Sequence, residues 1–401
     1  MTSLKPLLMI PGPIEVSPAV REAFAAPPPG HLEPRLVEAF GASLERMRRV
    51  WKSSAAAQPF VVPGSGTTAM EMTVANLIEP GDAAIVVNTG YFSDRMIEML
   101  RRAGAEVVDL GVVPGDVPTV SRAEGAFADL ERAGRRAKAL FATHVDTSTA
   151  ARVDPRPLAA AARAHGCLSV FDGVCATGAE PFEMEAWGAD VYLTASQKAI
   201  GAPPGLALLV ASEAALAARD RRAQAPPLAW DFHSWKPVME AYEARKPAYF
   251  ATPPTNLVMA LAVSLREILE EGVEARWAAH ARAARAMSAA WEVLGLSHVP
   301  TRVEQRATTL SALRYPARVD ASLVGRIAER GVVVAGGLHP RIRAEYFRVG
   351  HMGYAIGRTD LLMRTIEAVA FGLAASGVAV DGSRAVRAFL ETLQAESVRG
   401  A

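Results

Sequence analysis

The chain has 401 residues and only two cysteines, Cys167 and Cys175. Two thiols cannot build a disulfide framework, and so low a number suits a reducing compartment. Net charge is nearly absent: 43 Lys and Arg against 42 Asp and Glu leave +1. That balance excludes the electrostatic footprint of a protein that grips nucleic acid or an anionic membrane. The Arg-rich stretches 132–138 and 219–222 read as solvated helix ends and loops. No apolar run is long enough to cross a bilayer. Residues 1–10 lack the apolar core and small-residue cleavage site of a secretory signal. His and Cys show no metal-site spacing. The expectation is a cytoplasmic enzyme with no nucleic-acid, membrane or metal partner.

What is present is an ordinary globular composition, half of it hydrophobic, on a chain long enough for a large and a small domain. Short apolar runs at 60–62, 84–88, 106–110, 139–143, 168–172, 191–195 and 206–210 alternate with helical patterns such as 67–78 and 157–165. Alternation of this kind predicts an α/β fold, with a mostly parallel seven-stranded sheet covered by helices. Several runs are apolar throughout, which fits strands buried on both faces. After residue 255 the texture changes to a long helix at 257–271 and an α+β tail. Thr359 and Ser383 read as caps of the last two helices. The expected division is an N-terminal segment 1–20, a large domain 21–255 and a small C-terminal domain 256–401.

Three pieces carry chemistry. In Val191-Tyr-Leu-Thr-Ala-Ser-Gln-Lys198 a strand runs into a lysine and then a Gly/Pro loop, Gly201-Ala-Pro-Pro-Gly205. Open α/β sheets bind ligands at the carboxyl ends of their strands. A lysine desolvated there becomes a nucleophile; the bland alternative is a lysine snorkelling from a strand end. In Val170-Phe-Asp172 an acid ends an apolar strand 26 residues earlier. Asp172 either caps the next turn or partners a cationic ring nitrogen. In Val62-Pro-Gly64-Ser-Gly66-Thr67 a strand enters a Gly-rich turn that opens a helix, an arrangement that holds phosphate on free N–H groups. The spacing also matches a dinucleotide fingerprint, but the next strand ends in Asn88-Thr-Gly90 without the acid such a site uses. No Lys-Ser/Thr follows the glycines either, so a monophosphate site is the preferred reading.

Taken together, these pieces resemble class V aminotransferases of the pyridoxal-phosphate fold-type I group, and most of all the alanine–glyoxylate aminotransferases. The landmarks follow in the family's order: Pro11-Gly-Pro13, Gly64-Ser-Gly66, Asn88-Thr-Gly-Tyr-Phe92, Thr143 to Thr149, Phe171-Asp172, Ser196-Gln-Lys198, Ala202 to Gly205, Tyr249 to Pro254, Val334 to His339, and Tyr346 to Gly353. The resemblance implies pyridoxal 5′-phosphate as cofactor. Lys198 would carry it as a Schiff base and act as catalytic base, and Asp172 would face the ring nitrogen. Val174 and Phe92 would flank the ring, although some relatives have Trp at the Phe92 position. Thr147 would reach the phenolic oxygen. Ser65, Gly66, Thr67 and Gln197 would surround the phosphate, with Thr67 standing where some relatives carry His. Tyr249 and Thr252 would reach the phosphate of a second subunit, implying a homodimer with shared sites. Arg348 would clamp the substrate carboxylate through a two-bond fork. His144 and His351 read as structural. The implied reaction is ping-pong amino transfer from L-alanine to glyoxylate, with serine–glyoxylate, serine–pyruvate or another small-amine transaminase as alternatives. A desulfurase needs a thiol on a late loop, and no cysteine follows Cys175. A cofactor-free binding protein would not need Lys198, Asp172 and Arg348 together.

Overall fold

The computed structural model describes residues 6–399. Its main sheet has seven strands: β1 (Gln58–Pro63), β2 (Ala83–Val87), β3 (Glu106–Asp109), β4 (Ala137–Thr143), β5 (Leu168–Asp172), β6 (Val191–Ala195) and β7 (Leu206–Ala211). Their order across the sheet is β1-β7-β6-β5-β4-β2-β3. Six strands point the same way, and β7 alone runs antiparallel to its neighbours β6 and β1. Every expected strand is found. Two match residue for residue, and the rest shift by one or two positions at one end or both. Strands β2, β6 and β7 are buried at every position, because helices cover both faces. The edge strand β3 is exposed at both ends. Helix Gly66–Leu77 packs on β6 and β7, and helix Pro155–Ala164 packs on β5.

A second, antiparallel sheet is formed by β8 (Leu310–Arg314), β9 (Ala335–Gly336) and β10 (Tyr346–Gly350), in the order β8-β10-β9. Helix Val273–Val293 packs on β8, and helices Thr359–Ala375 and Gly382–Arg399 pack on that helix and on each other. The largest cluster of buried apolar side chains runs from Leu36 to Trp277. A second cluster joins Leu7 and Met9 to residues between Ala283 and Phe389. The proposed boundary at 255 falls at the start of helix Thr255–Glu271, whose Leu261 and Leu265 belong to the larger cluster.

The N-terminal segment gave no pattern in the sequence, yet it is tied down. Leu7–Leu8 pairs in parallel with Val332–Val333, and the N–H of Gly350 donates to Met9 O at 2.7 Å. Two-residue strands are too short to show a period of two, so only tertiary pairing reveals them.

Three local readings are corrected. Thr359 is the first helical residue, and Arg358 holds the cap position. Ser383 lies inside its helix; Asp381 caps instead, accepting from the N–H of Arg384 at 2.8 Å. Arg219 is buried, not solvated, because Asp231 meets its guanidinium in a fork at 2.8 and 2.7 Å. Among the described residues no helix is long and apolar enough to cross a membrane, and no group of three or more His, Cys, Asp or Glu is placed to hold a metal.

Candidate active site

Strands β5 and β6 are adjacent and parallel, with Asp172 opposite Leu193. Asp172 is therefore the last residue of one strand, and Lys198 lies just beyond the end of the next. Between them β6 gives way to a turn in which the Ser196 hydroxyl donates to Pro203 O at 2.6 Å. That loop is joined to the Gly-rich turn at the end of β1 by the Gly64 N–H, which donates to Gly205 O at 2.9 Å. Three pieces remote in sequence thus meet at one edge of the sheet.

The Lys198 amine donates to Pro11 O. Gly12 lies so close that a Cβ there would overlap the Lys198 side chain, at a backbone φ of +89° that also favours glycine. Burial pulls the Lys198 pKa below the usual lysine range, and the Arg348 charge adds to this, against opposing effects of Cys175 and Asp172. The result is an amine biased toward its uncharged, nucleophilic form.

The Asp172 carboxyl is buried and accepts from the N–H of Val174 at 2.9 Å. Burial pushes it up to about 7; the Val174 N–H pulls against this, Asp146 adds to it, and Lys198 and Arg95 lower it. A carboxyl so incompletely compensated is suited to a cationic N–H partner, which would stabilise its charged form.

The β1 turn enters helix Gly66–Leu77 through a capping box. Thr68 Oγ1 accepts from the Ser65 N–H at 3.1 Å, and Ser65 Oγ accepts from the Thr68 N–H at 3.4 Å. The first N–H groups of a helix have no partner within it, so Gly66 and Thr67 present donors at the positive end of the dipole. A Cβ on Gly66 would come within 2.7 Å of Val174 Cγ2. Glycine is what allows the helix start to lie against Val174. The Gln197 amide is close in sequence to Lys198, and its Oε1 is buried without a partner.

Phe92 is the second residue of helix Tyr91–Arg102, and its N–H donates to Asp146 Oδ2 at 3.2 Å. Asp146 is fully buried and also accepts from the Ser148 N–H and hydroxyl, at 2.9 and 2.6 Å. It holds the helix start that carries Phe92. Thr147, buried in the same turn, sets its hydroxyl against Cys175 and gives its carbonyl to Arg348 Nη1 at 3.1 Å. Arg348 Nε donates to Gly336 O at 2.9 Å. Burial lowers the guanidinium pKa, but a guanidinium stays charged in proteins. Behind it, Tyr346 accepts from the N–H groups of Leu338 and His339, each at 2.9 Å, and donates to Ser148 O.

Ser65, Gly66, Thr67, Phe92, Thr147, Asp172, Val174, Gln197, Lys198 and Arg348 therefore sit on elements that converge beside the ends of β1, β5 and β6. Tyr249 and Thr252 do not join that set within the chain. Tyr249 is 61 % exposed, its ring lies 5.4 Å from His31, and its hydroxyl is 3.4 Å from Thr252 Oγ1. Sequence reasoning missed Asp146, Arg95 and the Pro11 carbonyl. Asp146 lay inside a quoted landmark, and Arg95 stood at i+3 from Phe92, a helical spacing that puts both on one face.

The tempting histidines are structural. His144 pairs with the Tyr192 hydroxyl at 2.9 Å and is pushed down to about 3 by burial. His351 pairs with Ser311 at 2.9 Å and falls to about 4 for the same reason. Both cysteines are free and buried, and burial raises both thiols, Cys167 to about 12.

Comparison with known proteins agrees with this arrangement. The family model described as aminotransferase class-V matches residues 36–352. Alanine–glyoxylate aminotransferase 1 of Saccharomyces cerevisiae is 38 % identical, over 88 % of this chain and 93 % of its own length. An L-aspartate–glyoxylate aminotransferase of Paracoccus denitrificans is 33 % identical, over 88 % of this chain and 87 % of its own. Among solved structures, an alanine–glyoxylate aminotransferase from Nostoc sp. superposes with a TM-score of 0.85 at 30 % identity, covering 93 % of this chain and 96 % of that one. A sheet with this order, a lysine and an acid at the ends of neighbouring strands, and a family match over most of the length lead to one conclusion: the chain belongs to the class V aminotransferases and has their fold-type I architecture.

Proposed function

We propose that the protein is a pyridoxal 5′-phosphate-dependent transaminase that moves the amino group of L-alanine to glyoxylate, giving pyruvate and glycine. The observation that carries the chemistry is the pairing of an amine of lowered pKa at Lys198 with a buried, undercompensated carboxyl at Asp172 on adjacent parallel strands. The substrate choice rests on the names of the relatives, which include alanine–, serine– and aspartate–glyoxylate aminotransferases.

The residues fit the cofactor by their chemistry. The capped start of helix Gly66–Leu77 offers donors for a phosphate, Gln197 has an amide NH2 that can donate to it, and Asp172 can hold a ring N–H⁺. When bound, pyridoxal phosphate supplies an aldehyde carbon that takes up an amino group and a protonated ring that withdraws electrons. Val174, pressed against Gly66, and Phe92 would border the ring, and Thr147 would offer its hydroxyl to the phenolic oxygen. Arg348 binds the substrate carboxylate and so fixes which α-hydrogen faces Lys198. The Lys198 Nζ, once free, takes that proton. Positioned acid–base groups of this kind contribute about 10²–10⁴-fold. The carboxylate clamp serves the amino acid and the keto acid in turn, as a two-stroke reaction needs.

We further propose a homodimer in which Tyr249 and Thr252 serve the phosphate site of the second subunit; the exposure of Tyr249 supports this. A lyase of the desulfurase kind finds no support, because both thiols are buried and pushed up.

The test is an absorbance spectrum of the purified protein, before and after L-alanine and then glyoxylate. A visible band that bleaches with alanine and returns with glyoxylate is expected. A band that ignores alanine but responds to serine or aspartate changes the donor. A protein that gains no band when supplied with pyridoxal phosphate overturns the reading.

A further inference from the structure

Beyond helping to hold down the Asp172 pKa, Arg95 has been given no role above, yet it lies between two components of the site. It sits one turn along helix Tyr91–Arg102 from Phe92. Its Nη1 donates to Thr67 Oγ1 at 2.7 Å and its Nη2 to the Tyr91 hydroxyl at 3.1 Å. The guanidinium carbon lies 5.0 Å from the centre of the Tyr91 ring and 5.2 Å from that of Phe92. Each of these partners is neutral. A guanidinium whose hydrogen-bond partners are neutral, with Asp172 as a carboxyl its charge reaches from further off, keeps that charge to offer to an anion.

The bond to Thr67 has a directional consequence. Ser65 and Thr68 satisfy each other in the capping box, so the Thr67 hydroxyl is not needed for the cap. A hydroxyl has one hydrogen to donate and lone pairs to accept. Arg95 is donor only, so it must occupy a lone pair of Oγ1 and leave the Thr67 hydrogen to donate elsewhere. A cation bound to the oxygen polarises that O–H and strengthens the bond it gives. The hydroxyl stands at the N-terminal turn of a helix, beside the N–H groups of Gly66 and Thr67, where an anion is favoured.

We infer that Arg95 is a positioning residue for the phosphate of the cofactor, acting through the Thr67 hydroxyl: it forces Thr67 to donate and brings a positive charge to the second layer of the cradle. This rests on the cofactor reading above.

The experiment titrates cofactor-stripped protein with pyridoxal phosphate and, separately, with pyridoxal, which has the same ring and aldehyde but no phosphate. Binding is followed by the visible band. Arg95→Gln is expected to weaken pyridoxal phosphate about ten- to a hundredfold, the range of a charge-assisted bond, and to change pyridoxal by less than about twofold. Thr67→Val, which keeps the shape and removes the hydroxyl, is expected to give a loss with the same selectivity and stands alone if Arg95→Gln does not fold. The double variant is expected to be no weaker than Thr67→Val, because the two residues act in series. Equal weakening of both ligands by Arg95→Gln, or additive losses in the double variant, overturns the inference and leaves the cofactor reading intact. A parent protein that forms no coloured complex with pyridoxal phosphate overturns both.

Discussion

Acid is expected to unfold this protein earlier than its balanced charge suggests, because five histidines are buried with lowered pKa values, His339 and four that are shifted far. His144, His280 and His298 are pushed down to about 3 and His351 to about 4, burial being the first cause in each. The hydrogen bonds of His280 are built for the neutral ring: Nε2 accepts from the Gly353 N–H at 3.0 Å while Nδ1 faces Arg276 O at 2.8 Å. Folded values below the unfolded one mean that the stability is complete above about 6.5 and drains away as pH falls toward the folded values. From pH 7 to pH 5 each ring costs about 2 kcal/mol, or about 8 kcal/mol for the four. Asp172 works the other way. Its folded pKa is raised to about 7, so its contribution grows as pH falls, returning about 2 kcal/mol over the same interval in cofactor-free protein. Asp146 and Asp190, also raised by burial, add in that direction. The net loss is on the order of 5 kcal/mol, comparable with the whole stability of many proteins. Urea unfolding of cofactor-free protein at pH 7, 6 and 5, followed by circular dichroism, measures it. Stability at pH 5 within about 1 kcal/mol of that at pH 7 would refute the reasoning.

Three further predictions concern the site itself. Lys198→Ala is expected to abolish transamination, a loss of at least about 10²–10⁴-fold in single-turnover rate; turnover near the parent rate would remove Lys198 from the chemistry. Asp172→Asn is expected to leave cofactor bound, by its visible band, while slowing α-proton exchange in deuterated water by about 10²–10³-fold, the range for one lost electrostatic partner. Unchanged exchange would show that Asp172 does not hold the ring proton. Arg348→Lys is expected to raise KM for amino acid and keto acid alike, about tenfold or more, through loss of the two-bond fork. An effect on only one substrate would argue against a shared clamp.

Much of the seven-stranded sheet was legible because its strands are buried on both faces and read as unbroken apolar runs between turn residues. The runs 168–172 and 191–195 show this, and both end where the structure ends them. Helix starts were less legible. At Asp381 and Ser383 two good cap residues stand two apart, and only the backbone path selects the aspartate. Arg219 shows the limit of reading charge locally: its partner Asp231 lies 12 residues on, past a 3-10 turn that no pattern announced.

The candidate site divides in the same way. The sequence by itself determined that a lysine and an acid end successive buried strands and that a Gly-rich turn opens a helix, since those are local patterns of burial and backbone freedom. The tertiary structure decided what surrounds them. It took parallel pairing of Leu7–Leu8 with Val332–Val333 to carry Pro11 to the Lys198 amine. It took packing of one helix start against another to set Arg95 on Thr67. The buried Asp146 carboxylate, bonded to the backbone of Phe92 across 54 residues, belongs to the same class. Local patterning encodes which residues are buried and where the chain turns; which buried polar groups meet is set by long-range packing, which has no local signal.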